Sequence, residues 1–220
     1  MTAPNEAIDP TGAAIVKATL LHVPFDGWTD EALASGAADA GVEPHMVSAL
    51  FPRGAIDAIA LYSRLADAEM VAAFEALTEK PKKIHLEIRT LVLLRLEAAQ
   101  PNKDAVRRAL AALALPAHTK ISAKLLYETV DTMWRAVGQT DTGLSFYTRR
   151  MTLAAVYSAT LLAWLADNSG DIAKTAAFLD RRLANVALIP RAAAPLRGMK
   201  VAGEQFARAM LKTISRRHAR

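Results

Sequence analysis

The 220-residue chain has no cysteine. Disulfides, thiolate metal ligands and cysteine nucleophiles are therefore excluded, and no oxidising compartment is needed. Aromatic residues are few, at 6%, a poor supply for sheets, which draw on β-branched and aromatic side chains. Long apolar runs are also missing. The longest candidate, Met151 to Trp164, stops at Asp167 and carries Thr152, Ser158 and Thr160, short of the ~18–20 apolar residues of a spanning helix. The first ten residues, MTAPNEAIDP, have neither a basic n-region nor an apolar h-region, so neither a secretory signal nor an Arg-rich transit peptide is expected. No HExxH helix, P-loop, GxGxxG or GxSxG occurs, and no Glu-x-x-His pair places two di-iron ligands on one helical face. His22, His45, His85, His118 and His218 are scattered. The reading is a non-enzymatic chain with no catalytic residue, no metal and no cofactor.

What the chain has in abundance is alanine, 46 of 220 residues, within a hydrophobic fraction of 52%. That mix suits helix packed on helix. Apolar residues recur at helical spacing, and Pro or Gly clusters cut the chain into about ten helices. They are expected over about 13–22, from Thr29 to Gly41, from Pro44 to Pro52, and over 55–77, 82–99, 103–113, 118–137, 144–166 and 171–188, with a tail helix after Pro190 and Pro195. The fold class is all-α.

The net charge of +5 is unevenly spread. Residues 11–60 carry −4 and residues 191–220 carry +7. Such a basic block marks contact with an anionic partner, phospholipid or nucleic acid. In the amino-terminal part, a helix, Gly27-Trp28, a helix, Ala40-Gly41-Val42, a short helix and Phe51-Pro52 follow one another with helix-turn-helix spacing. Ile15 to Tyr62 resembles the amino-terminal module of tetracycline-repressor-like proteins. Yet the presumed reading helix, Pro44-His45-Met46-Val47-Ser48-Ala49-Leu50, has no Arg, Lys, Asn or Gln, the residues that neutralise phosphates and read base edges. A scaffold that binds no nucleic acid is expected. The competing reading is a tetracycline-repressor-like DNA-binding regulator responding to an apolar ligand.

The stretch from Leu144 to Ala166 is apolar on more than one side, with Met151 on one stripe and Leu153, Tyr157 and Trp164 on another. A helix apolar nearly all round is buried in a bundle. Leu91, Leu94, Met133 and Trp134 are its expected neighbours. By residue type alone, such a set is more often a closed core than a ligand cavity.

The run Asp131-Thr132-Met133-Trp134, then Phe146-Tyr147-Thr148-Arg149-Arg150, Leu153, Val156-Tyr157, Thr160, Trp164, Asp167-Asn168-Ser169 and Phe178-Leu179-Asp180-Arg181-Arg182 resembles the lipid-binding accessory family of coenzyme Q biosynthesis, the "Coq-nine" family. The resemblance implies a repressor-like homodimer that has lost DNA binding. It implies an apolar site for an isoprenoid quinone intermediate or phospholipid, here assigned to Leu91, Leu94, Met133, Trp134, Met151, Leu153, Tyr157, Leu161 and Trp164. It also implies a surface patch for the di-iron demethoxyubiquinone hydroxylase, falling on Met133, Val137, Phe146 and Tyr147. The family pattern has Trp where this chain has Phe146, and an acidic residue where it has Gln139.

On a helical wheel the tail sets Met199, Phe206, Met210 and Ile214 on one face, with Arg197, Lys200, Arg208 and Lys212 opposite. Such a helix can lie in the headgroup region of an anionic membrane or pack on the body; the resemblance implies the membrane. The expected organisation is a helix-turn-helix remnant over 11–55, a lipid-binding and dimerisation body over 56–189, and an amphipathic helix over 196–216. The expected location is the bacterial cytoplasm, peripheral on the inner membrane, or the mitochondrial matrix face in a eukaryote.

Overall fold

The computed structural model describes residues 8–139 and 144–185. Described residues up to Leu179 belong to one compact unit and residues 180–185 to a second. The tail residues Arg197, Met199, Lys200, Phe206, Arg208, Met210, Lys212 and Ile214 lie outside the described residues. Among those described the secondary structure is helical, with no strand. No helix among them is long and apolar enough to cross a membrane.

Local chemistry sets most boundaries. Helix α1 is Pro10–Thr19, starting earlier than expected because Pro10 occupies its first turn and Asp9 caps it, accepting from the Gly12 amide at 2.6 Å. A short helix, α2 (Val23–Asp26), was not expected; Pro24 opens it rather than ending α1. Thr29 caps α3 (Asp30–Asp39) by accepting from Ala32 N at 3.1 Å. Pro44 starts α4 (Pro44–Leu50), which buries no residue. Helix α5 (Ala55–Glu75) is capped from a distance: Asp30 Oδ1 accepts from the Ala55 amide at 2.9 Å. Only glycine leaves room for that carboxylate, since a Cβ on Gly54 (φ +64°) would sit 2.2 Å from Asp30 Oδ1. Then come α6 (Ile84–Ala98), α7 (Lys103–Leu113), α8 (Thr119–Ala136) and α9 (Leu144–Ala166). Residues 173–185 are helical, entered where Asp171 accepts from the Ala173 amide at 2.8 Å.

The amino-terminal helices have their own small core, built from Ile15, Val16, Leu33, Ala37, Phe51, Ala58 and Leu61. Helices α1 and α3 approach so closely that a Cβ on Gly36 would lie 2.3 Å from Thr19 Oγ1 and 2.6 Å from Thr19 N. This core is fastened to α7 by the Trp28 indole, which donates to Ala105 O at 2.9 Å, and by Arg108, which donates to Pro24 O at 2.8 Å.

The larger core gathers α5, α6, α8 and α9 around Met70, Phe74, Leu91, Leu96, Val130, Met133 and Trp164. Lys103 donates to Asp167 O and Arg107 to Leu165 O at 3.1 Å, so cations from α7 meet the carboxy-terminal carbonyls of α9.

Gly36→Ala is expected to cost about 1–3 kcal/mol, because the added methyl meets backbone rather than a movable side-chain tip. Urea unfolding followed by circular dichroism checks it.

Candidate functional site

The carboxy-terminal end of α8 and the start of α9 carry the residues that the sequence singles out. Asp131 on α8 accepts from two arginines, one at each oxygen. Arg150 Nε on α9 donates to Oδ1 and Arg135 Nε to Oδ2, both at 2.7 Å. Arg150 and Asp131 are buried, whereas Arg135 is exposed on its own helix. A charge taken from water needs a partner and further hydrogen bonds. Arg150 obtains both, adding a weaker bond to Phe146 O at 3.4 Å. Its guanidinium also lies 3.4 Å from the centre of the Phe146 ring, a cation–π contact that a phenyl ring makes as well as shape allows. Phe146 in turn meets Tyr147 edge to face at 5.1 Å. The buried pair thus fixes Phe146, and Phe146 supports Tyr147, which is 63% exposed.

One layer deeper, Arg95 of α6 donates to Asp67 Oδ1 on α5 at 2.7 Å and to Ser63 Oγ at 3.1 Å. Thr129 of α8 donates to Asp67 Oδ2 at 2.9 Å. Burial pushes the Asp67 carboxyl above the usual range, opposed by the Arg95 charge and by hydrogen bonds from Arg95 and Thr129. Burial works against the Arg95 charge, yet Asp67 holds its pKa above the ordinary arginine value. Arg95 also faces the Tyr157 ring at 5.6 Å, and burial raises the Tyr157 phenol. Further along, Trp164 Nε1 donates to Gln100 Oε1 at 2.8 Å, with Lys103 Nζ 5.0 Å from its ring.

The nine residues expected to line a lipid site divide three ways. Leu91, Met133, Leu153, Tyr157 and Trp164 are sealed in the core. Leu94, Trp134 and Leu161 are half-buried. Met151 is 69% exposed. Tyr147, Met151 and Leu162 together form an uncovered apolar ridge on α9. Met133 is corrected as a surface-patch residue: fully buried, it serves the core, while Val137 and Phe146 are half-buried and Tyr147 is exposed. The indole N–H of Trp134 is buried with no acceptor among the described residues. Two surface cavities are lined by none of the nine. One, of about 210 Å³, lies between α1, α5 and the end of α6, lined by Val16, Leu20, Tyr62, Leu65 and Ala99 among others. The other, about 420 Å³, is a groove between α3 and α4 lined by Leu33, Ala37, Val42, Val47 and Phe51 among others.

Sequence reasoning missed both buried ion pairs. Asp131 and Arg150 stand in the quoted signature without an assigned role. Arg95 had a signal of its own, a lone cation in the run Leu91-Val92-Leu93-Leu94-Arg95-Leu96. The exposed side chains of α4, Pro44, His45, Met46, Ser48 and Ala49, offer a duplex no permanent cation. Among the described residues, no three His, Asp or Glu side chains gather in a way that could hold a metal ion.

Asp131→Ala leaves the Arg150 charge buried without its main partner and is expected to cost about 3–5 kcal/mol. Replacing both residues together, Asp131→Leu with Arg150→Met, should recover most of that loss. Chemical unfolding of the two single variants and the double variant measures the coupling.

Comparison with known proteins gives these observations a setting. The COQ9 family profile matches residues 119–189, which span α8, the ion pair and α9. Human (Homo sapiens) "Ubiquinone biosynthesis protein COQ9, mitochondrial" is 32% identical over 179 residues, covering 77% of this chain and 55% of its own length. The Drosophila melanogaster protein of the same name is 31% identical, covering 80% and 55%, and that of Rattus norvegicus 33%, covering 77% and 56%. The chain spans about 55% of the length of these curated relatives. Among solved structures, a TetR transcriptional regulator from Nitrosomonas europaea superposes with a TM-score of 0.64 at 24% identity, covering 81% of this chain and 99% of that one. The fold is therefore the tetracycline-repressor-like helical bundle. Over the 77% of its length that aligns with the human protein, the chain belongs to the COQ9 family.

Proposed function

We propose that this chain is a non-enzymatic, lipid-binding accessory protein of ubiquinone biosynthesis, which holds an isoprenoid quinone intermediate and presents its ring to the demethoxyubiquinone hydroxylase. The role in ubiquinone biosynthesis comes from the COQ9 relatives, whose names carry it. The observation that carries the lipid reading is the end of α8 and the exposed face of α9. There a buried indole N–H without an acceptor, that of Trp134, lies one helix away from an uncovered ridge of Tyr147, Met151 and Leu162.

A polyprenyl tail is driven out of water by the hydrophobic effect and needs apolar area more than specific bonds. The quinone ring needs a few fixed donors. The α9 ridge supplies the first and Trp134 a candidate for the second. Because five of the nine assigned residues are sealed, the guest is better accommodated along the α9 surface than in the bundle centre. A second copy of the chain or the hydroxylase would then cover the outer side of the guest. An amphipathic tail over 196–216 would keep exchange with the membrane short, on the inner membrane of a bacterium or the matrix face in a mitochondrion.

Solvent extraction of the purified full-length chain followed by mass spectrometry tests the cargo. Isoprenoid quinone intermediates, or phospholipid in their place, should be recovered, and preparations consistently free of lipid would refute the reading. Tyr147→Ala should weaken hydroxylase capture by about tenfold or more, as for an aromatic interface anchor. Its melting temperature should barely change, because the side chain is mostly in solvent. A large fall in melting temperature would make Tyr147 a structural residue instead.

A further inference from the structure

The corner joining α5 to α6 carries a cluster that neither the family signature nor the proposed cargo site uses. Residues 79–86 read Glu-Lys-Pro-Lys-Lys-Ile-His-Leu, three lysines against one carboxylate. Lys80, Lys82, Lys83 and His85 are all exposed. The neighbouring aliphatic side chains are out as well, Ile84 by 41% and Leu86 by 40%. Among the described residues nothing folds over them: Pro81 turns the chain, and the first turn of α6 begins at Ile84 with Lys83 as its cap residue. The Lys80 ammonium lies 4.9 Å from the Phe74 ring, which holds the base of the corner to the core. Glu79 lies beside the lysines, Glu75 is one turn back along α5, and Glu87 follows on α6. The excess of positive charge is thus confined to the tip.

Solvent alone does not account for this composition. Lysines at a loop tip need no explanation, but two exposed branched aliphatics among them add apolar area that water disfavours. A surface that takes both is the headgroup layer of an anionic bilayer. There the ammonium groups meet phosphate while the aliphatic side chains enter the acyl boundary. A nucleic acid would use the lysines and leave Ile84 and Leu86 in water.

The position of the corner adds a consequence. Helices α6 and α9 run in the same direction, because Arg95 faces Tyr157 and, later in the chain on both sides, Gln100 in the turn that follows α6 bonds Trp164 of α9. Ile84 precedes Arg95 by the same number of residues as Phe146 precedes Tyr157. At 1.5 Å per residue each lies about 16 Å back along its helix. The lysine corner and the Phe146–Tyr147 edge therefore sit at the same end of the bundle.

We propose that the α5–α6 corner, Lys80, Lys82, Lys83, Ile84 and Leu86, is a membrane contact for anionic lipid surfaces, which brings the Phe146–Tyr147 end of the bundle to the bilayer. It stands on the corner's own chemistry, apart from any quinone cargo or from the tail.

The natural absence of cysteine allows a local readout in the full-length chain. Ile84→Cys and, as a control, Leu115→Cys are each labelled with a polarity-sensitive fluorophore. Leu115 is exposed and precedes α8, at the far end of that helix from Trp134. Each is mixed with vesicles of phosphatidylcholine, with or without about 30 mol% phosphatidylglycerol. The label at position 84 should shift to the blue and become quenchable by spin-labelled lipid with the anionic vesicles only, and about 0.5 M salt should reverse much of the effect. The label at position 115 should stay unchanged. Lys82→Glu combined with Lys83→Glu should lower partitioning into the anionic vesicles by about tenfold or more. A chain that floats with those vesicles while position 84 stays in water overturns the proposal and leaves the tail as the membrane site. Absence of flotation, or a response of position 84 to duplex DNA and not to vesicles, overturns it too. None of these outcomes bears on whether lipid is extracted from the purified chain, so the two readings fail separately.

Discussion

The buried pair between Asp131 and Arg150 is the constraint around which the α8–α9 end is organised. Helix α9 is rich in alanine, leucine and threonine and could lie against α8 in several registers with similar apolar burial. A guanidinium in the core cannot slide without losing its carboxylate, and an unpaired buried charge is among the costliest defects a fold can carry. The pair therefore selects one register. In that register the Phe146 ring lies against the Arg150 guanidinium, and Tyr147, next in the chain, is turned to solvent. The surface feature attributed to partner binding is in this sense a by-product of a buried electrostatic choice. It also explains why a phenyl ring suffices where the family pattern has an indole: the contact made here is ring face to cation, not N–H to acceptor.

Arg95 with Asp67 repeats the device one layer down, tying α5 to α6 and, through Thr129, to α8. Two such layers are separated by about two helical turns on α9, from Arg150 to Tyr157. Neither adds much net stability, since the desolvation of each charge offsets most of the attraction. Together they remove the freedom of a four-helix core whose apolar side chains are similar in size. A bundle this rich in alanine has smooth helix faces, and polar layers supply the distinct features that such faces lack.

How much of this could be read from the sequence follows from the range of the interactions. Helix boundaries are local, set by prolines, caps and glycines, and α9 was expected over 144–166 as found. The exception at α1 and α2 is also local: proline at a first turn is a start, so Pro10 opens α1 ahead of the expected residue 13 and Pro24 opens α2 where an end was expected. The all-α fold followed from composition and periodicity. What was not legible was which apolar stripe of α9 points inward. Leu153, Tyr157 and Trp164 face the core while Met151 does not, and periodicity on a helix apolar nearly all round contains no such information. Met133 was assigned to the surface patch by the resemblance, not by periodicity, and its side chain lies in the core. The ion pairs join residues far apart in the chain, so only the lone Arg95 within an aliphatic run hinted at one.

An interior that is filled and a surface that is greasy imply a different kind of binding protein from one with a closed pocket. In a closed pocket the whole guest is enclosed by one chain, and release requires that chain to open. Along a ridge such as Tyr147, Met151 and Leu162, under the proposed reading, the chain would cover one side of a long apolar guest and something else would have to cover the other. Each cover, whether bilayer, second copy or enzyme, could exchange for the next without the bundle unfolding, because the helices beneath are held by buried charge pairs rather than by a guest. The amino-terminal module fits the same economy of change. Its helices keep their packing through Gly36 and the Trp28 bond to α7, while α4 presents proline, histidine, methionine, serine and alanine where a duplex-reading helix needs cations. Retaining such a scaffold requires only that the buried side chains stay, whereas exposed positions such as those of α4 can change at little cost to a fold.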